Sequence, residues 1–88
     1  MKNYWYNLVH EETWHSLNYD EFEAEDIDAA KTEAMERVRK YVDVAFPESD
    51  HGLYEFLEWE RQVTSWLRYV KNEDGEICWR FRLWEEGE

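Results

Sequence analysis

The chain has one cysteine, one proline and three glycines among 88 residues. The lone thiol, Cys78, excludes an intramolecular disulfide, so the core alone must hold the fold, which suits a reducing, intracellular compartment. Three glycines leave no phosphate-cradling loop, and so little glycine and proline argues against disorder. No apolar run approaches the ~20 residues needed to cross a bilayer, and the start, MKNYWYNLVHEE, is too polar for a secretory leader. These absences predict a soluble, cytoplasmic protein.

Positive charge is scarce as well. Ten bases face 22 acids, for a net charge of −12. Phosphate binding is driven by Lys and Arg displacing counterions, so this balance argues against direct nucleic-acid binding and against an anionic membrane. It favours a basic protein partner, drawn in by long-range attraction. The charge is concentrated early: residues 1–60 hold 16 acids and 5 bases, residues 61–88 only 6 and 5.

What the chain does have is aromatic mass. Six Trp, six Tyr and four Phe can each bury roughly 150–250 Å² per ring, enough to give a single domain (1–88) of this size a core.

The apolar pattern sets the elements. Tyr4–Glu11 and Trp14–Glu23 alternate with period two and read as a hairpin turning at Glu12-Thr13, with Leu8 opposite Leu17, Tyr6 opposite Tyr19 and His10 opposite His15. From Asp26 the spacing becomes helical: Ile27, Ala30, Ala34, Val38, Tyr41 and Val42 share one face, with Asp26 as N-cap. The helix must end before Pro47. Pro47 then opens a short second helix with Leu53, Phe56 and Leu57 inward; a strand over 53–60 is the alternative.

Val63–Lys71 and Glu76–Glu85 form a second hairpin around NEDG, with Gly75 as the left-handed residue. That register puts Val63, Leu67, Tyr69, Ile77, Trp79, Phe81 and Leu83 on the core face. Trp66, Arg68, Val70, Cys78, Arg80, Arg82 and Trp84 fall on the other. The expected fold is α+β, a four-stranded antiparallel sheet of two hairpins with one main helix and a short second one, in the order ββα(α)ββ.

Catalytic signatures are absent. HEETWH, residues 10–15, begins like a zinc-protease box, but its histidines are five apart where a helical site needs four, and the surroundings alternate like a strand. A weaker alternative is a small metal-dependent or hydrolytic enzyme around His10 and His15. Cys78 has no histidine near it in sequence, and Ser16, Ser49 and Ser65 lack a nucleophile elbow. The expectation is a protein that is not an enzyme and uses no cofactor or metal.

Two constellations remain. In DEFEAEDID, Glu21, Glu23 and Glu25 alternate along an extended segment, about 6.8 Å apart at ~3.4 Å per residue. Asp26 and Asp28 carry the charge into the helix, and Glu33 and Glu36 extend it, a spacing comparable to a nucleic-acid backbone. An edge strand kept soluble by charge accounts for the same pattern. The second constellation, Trp66, Arg68, Arg80, Arg82 and Trp84, has the composition of an interface hot spot or a base-stacking platform; a sheet face with arginine stems lying over tryptophans is the plainer account.

A tiny, acidic, aromatic-rich, disulfide-free α+β chain, with FEAEDIDAAKTEA running from strand into helix, resembles the small anti-defence proteins of phages and mobile elements, the anti-CRISPR and anti-restriction proteins. Several of those act as DNA mimics. The resemblance implies stoichiometric inhibition of a bacterial nuclease or CRISPR–Cas complex, in the host cytoplasm, by filling a basic groove meant for nucleic acid.

The expected function is therefore inhibition of a basic, nucleic-acid-handling partner. The acidic ridge Glu21, Glu23, Glu25, Asp26, Asp28, Glu33 and Glu36 meets its Lys and Arg, with Trp66, Arg80, Arg82 and Trp84, and also Trp5 or Trp14, as anchors. The alternatives are an RNA- or single-strand-binding module on the Trp/Arg face, and a homodimeric scaffold burying that face against itself.

Overall fold

A computed structural model describes residues 1–45 and 54–86. The elements are β1 (Lys2–His10), β2 (Ser16–Ala24), α1 (Ile27–Ala45), β3 (Glu55–Phe56), β4 (Glu60–Arg61), β5 (Ser65–Lys71) and β6 (Ile77–Glu85). The fold is α+β, with one helix and one antiparallel sheet among the described residues. The sheet has six strands, not four: the order is β2-β1-β6-β5-β3, and β4 also pairs with β5.

The two added strands are short and share the outer edge of β5. Glu55 lies opposite Lys71, and Glu60 opposite Leu67. They occupy the segment where a second helix is expected. The start of that helix, 46–53, lies outside the described residues; beyond it 55–56 and 60–61 are strand and 57–59 are not, so the alternative strand over 53–60 holds only in part. Arg68 explains how the edge is held: its Nε donates to the Leu57 carbonyl at 2.7 Å, and an Nη donates to that of Phe56 at 3.1 Å. The guanidinium also lies 5.0 Å from the Trp59 ring.

α1 follows the expected pattern. The Asp26 carboxylate accepts the Ala29 N–H at 2.9 Å and its carbonyl accepts the Ala30 N–H at 3.0 Å, which satisfies N-terminal donors that have no partner within the helix. Ala30, Ala34, Val38 and Val42 are buried. These side chains are small, so the sheet supplies the bulk of the core: Tyr4, Tyr6, Leu8, Phe22, Val70, Trp79, Phe81 and Leu83. Arg37 fastens the helix to the sheet edge, reaching Glu33 at 2.8 Å and Asp20 at 2.6 Å with its guanidinium 5.2 Å from the Phe22 ring.

Both hairpin registers differ from expectation, for the same reason. Near the first turn the expected pairing holds, with the His10 N–H on the His15 carbonyl at 2.9 Å. The register then shifts between Leu8 and Val9: Val9 pairs with Ser16 but Leu8 pairs with Asn18, leaving Leu17 as an extra residue. Beyond this bulge every side chain of β2 changes face. Asn18, Asp20, Phe22 and Ala24 point toward α1, and Tyr19, expected in the core, is 70% exposed.

In the second hairpin Gly75 takes the left-handed conformation (φ 80°), as its position requires. A shift between Val70 and Lys71 then inserts an extra residue at Ile77–Cys78. Trp66, Arg68 and Val70 therefore share the helix-covered face with Trp79, Phe81 and Leu83, whereas Leu67 and Tyr69 join Arg80, Arg82 and Trp84 on the other. Ile77 is only half-buried, beside the bulge. Val63, expected in the core, precedes β5 and is 93% exposed. No described helix is long and apolar enough to cross a membrane.

Candidate functional site

α1 covers one face of the sheet, and among the described residues no element packs on the other. On this open face β1 presents Trp5, Asn7 and Val9, β6 presents Arg80, Arg82 and Trp84, and β5 adds Leu67 and Tyr69. Trp5 and Trp84 are cross-strand partners and stack at 4.1 Å with 11° between planes. Arg82 lies 5.8 Å from the Trp84 ring. Together with Trp14, residues of β1 and β6 line a shallow groove of about 370 Å³.

The two arginines differ. Arg80 is held by Glu11 through contacts of 2.6 and 3.2 Å and lies between the rings of Trp14 and Tyr69, at 4.6 and 5.6 Å. The Glu11 hydrogen bond raises the Arg80 pKa further, so its charge is permanent but locally neutralised. Arg82 has no ion pair among the described residues, and its Nε is buried without a hydrogen-bond partner. The same holds for Oδ1 of Asn7, its cross-strand neighbour.

The acidic residues divide into two groups. Glu21 and Glu23 project from the open face of β2, a free edge of the sheet. Glu25 and Asp26 occupy the bend after it, and Asp28 the first turn of α1. All five are exposed. Asp26 is tied up in the cap, and the other four make no salt bridge among the described residues. Glu33 is paired with Arg37, and Glu36 lies on the helix away from the sheet, beside Met35 and Arg39. The expected single ridge is therefore a line along the β2 edge that turns the corner into α1, with Glu36 apart and Glu33 neutralised.

Trp66 is separated from the other anchors. It lies on the helix side, 3.5 Å below the Lys31 ammonium and 5.4 Å from Arg61, half-buried against the core. Sequence reading missed Asn7, Val9, Leu67 and Tyr69 as open-face residues. The first two were legible, since they alternate with the core residues Tyr4, Tyr6 and Leu8. The last two were hidden by the bulge.

Groups with nucleophilic potential are poorly placed for it. Burial pushes the Cys78 thiol pKa up, and Sγ donates to the Val70 carbonyl at 3.4 Å. Among the described residues no three His, Cys, Asp or Glu side chains converge as a metal site would require.

Comparison of the chain with protein-family models, with curated proteins and with solved structures finds no match.

Proposed function

We propose that this chain is a non-enzymatic inhibitor that binds a basic, nucleic-acid-handling protein of a bacterial defence system, such as a CRISPR–Cas effector, and occupies its groove. The observation that carries this reading is the run of exposed carboxylates along the β2 edge and around the start of α1. Glu21, Glu23, Glu25 and Asp28 are exposed and make no salt bridge among the described residues, so a Lys/Arg-lined groove can meet them. The defence-system assignment rests on the resemblance in size, charge and composition.

An RNA-binding platform on the open face has less support. Glu11 neutralises Arg80, and Glu21 and Glu23 share that face, which leaves little net attraction for phosphate.

The test starts from nuclease-treated bacterial lysate, from which the tagged protein should recover a basic nuclease subunit. Association of that subunit is then timed with the parent and with a triple variant, Glu25→Lys, Asp28→Lys and Glu36→Lys. These residues lie off the open face, and none is in an ion pair among the described residues. The variant should associate about tenfold or more slowly at low ionic strength, and the difference should shrink as salt screens it. Equal rates at low salt would falsify the acidic-surface reading.

A further inference from the structure

The open face carries a second self-consistent chemistry. The chain's net charge is −12, but this surface holds only a small share of it. Outward positions on the four long strands bear Glu21 and Glu23 against Lys71, Arg80 and Arg82, and Glu11 offsets Arg80. Glu55 and Glu60, opposite Lys71 and Leu67, add two acids at the far edge, so this face carries about −2 of the net −12. It is the broad part of the described surface where two such anions can meet without bringing their excess charge together. It is also aromatic: Trp5, Trp14 and Tyr19 are 37%, 62% and 70% exposed. Aromatic area of that extent marks a contact surface.

We infer that this face seats a second copy of the same chain, docked sheet on sheet about a twofold axis running parallel to the strands, midway between β1 and β6. The inference stands independently of the acidic-partner reading. The axis follows from the cross-strand pairs. Trp5 pairs with Trp84, Asn7 with Arg82 and Val9 with Arg80 across the two central strands. Rotation about this axis exchanges the members of each pair, so Trp5 of one copy lies over Trp84 of the other. Asn7, an acceptor at Oδ1, comes to lie over Arg82, a donor at Nε; both atoms are enclosed in the single chain, so both side chains swing outward to meet across the axis. Both atoms are buried and without a hydrogen-bond partner in the single chain. A buried polar group lacking a partner is costly, and the reciprocal pair removes that cost twice per dimer. An in-plane axis perpendicular to the strands and level with the Asn7–Arg82 pair would instead set Arg82 against Arg82, which like-charge repulsion disfavours.

The area is sufficient, though modest. Strands of nine residues span about 30 Å, and four strands at ~4.8 Å spacing about 19 Å, so the two flat footprints together cover about 1,100 Å². Specific interfaces begin near 1,000 Å², so the dimer should dissociate on dilution. In this arrangement Glu21 lies near the margin of the footprint, over Ser65 of the second copy, and Glu23 lies toward its end, whereas Glu25, Asp28 and Glu36 stay outside it on both copies.

The test is sedimentation of the intact chain over a concentration series at low and at high salt. Mass should rise toward twice the 11.0 kDa of one chain. Salt should strengthen self-association, because it screens repulsion between the anionic bodies, the opposite of its effect on a basic partner. Trp5→Glu should weaken self-association about tenfold or more. Tyr19→Glu, at a position exposed enough to spare folding, should weaken it as well, and Glu36→Lys should not. A mass that stays monomeric at every concentration and salt overturns the proposal. So does a dimer indifferent to both open-face variants, or one that salt dissolves. Failure of the Glu25/Asp28/Glu36 variant to slow partner association leaves the dimer intact, so the two proposals fail separately.

Discussion

Tyr6 shows how a single residue links fold and pH. Its ring is 2% exposed, and its hydroxyl donates to Asn18 Oδ1 at 2.7 Å. Burial raises the phenol pKa first, and the Asp20 carboxylate raises it further. The folded chain therefore holds this proton more tightly than the unfolded chain. That contribution is fully present below the unfolded phenol pKa of about 10 and is lost as pH rises through the higher folded value. Cys78 acts in the same direction from a lower starting point, near pH 8.5 for a free thiol. Tyr6→Phe should cost about 1 kcal/mol at neutral pH, from the lost hydrogen bond, and should flatten the alkaline decline. Urea midpoints near neutrality and near pH 10 measure both. A variant that declines as steeply as the parent would place the alkaline sensitivity elsewhere. Arg68 illustrates the converse cost: burial lowers its pKa, and carbonyls of the β3–β4 edge, with the Trp59 ring, replace the lost water.

At the scale of elements, legibility in the sequence follows the strength of the local signal. α1 was readable over Ile27–Ala45, because its apolar spacing and its Asp26 cap agree; the expected stop before Pro47 lies outside the described residues. The cap is directly testable. Asp26→Ala removes the 2.9 Å bond to the Ala29 N–H and should cost about 1 kcal/mol by denaturant unfolding, with the sheet otherwise unchanged. A variant as stable as the parent would mean that water satisfies the helix end equally well. The existence of the four long strands was also legible; their registers were not. β5 has apolar residues on both faces, Trp66 and Val70 against Leu67 and Tyr69, so alternation could not choose between them. In β2 the wrong register matched Leu17 and Tyr19 to the core, and only an inserted residue brings Phe22 and Ala24 there instead. No local feature of Leu17 or Cys78 announces a bulge. The β3–β4 edge was obscured because its pairing with β5 is only two residues at each end and depends on the distant Arg68.

At the scale of the molecule, composition was enough for the sign of the field but not for its shape. Acidic positions that form one line in the chain are parted by the sheet, and the Trp/Arg set loses Trp66 and Arg68 to the helix side while gaining Trp5, Asn7 and Val9. Two surfaces of unlike character result, one acidic along the β2 edge and α1 start, the other aromatic and of low net charge on the open face, with Glu21 and Glu23 where they meet. Salt should therefore push the two proposed associations in opposite directions, as electrostatics acts on each through a different part of the same charge.

The bulges at Leu17 and at Ile77–Cys78 carry a further consequence, about length. Each hairpin holds one residue more than its ladder uses. A single-residue deletion within the first can thus be absorbed by straightening the bulge. Removal of Leu17 itself leaves Val9 on Ser16 and Leu8 on Asn18, an unbroken ladder. Removal of Glu21 would turn Leu17 and Tyr19 inward while Phe22 keeps its place opposite Tyr4. Both shortened chains should still melt cooperatively, the first closer to the parent. A one-residue deletion in the regular ladder between β1 and β6 should abolish the transition. Chain length in this small sheet is a tolerance as well as a constraint, and the slack is stored where the two hairpins change face.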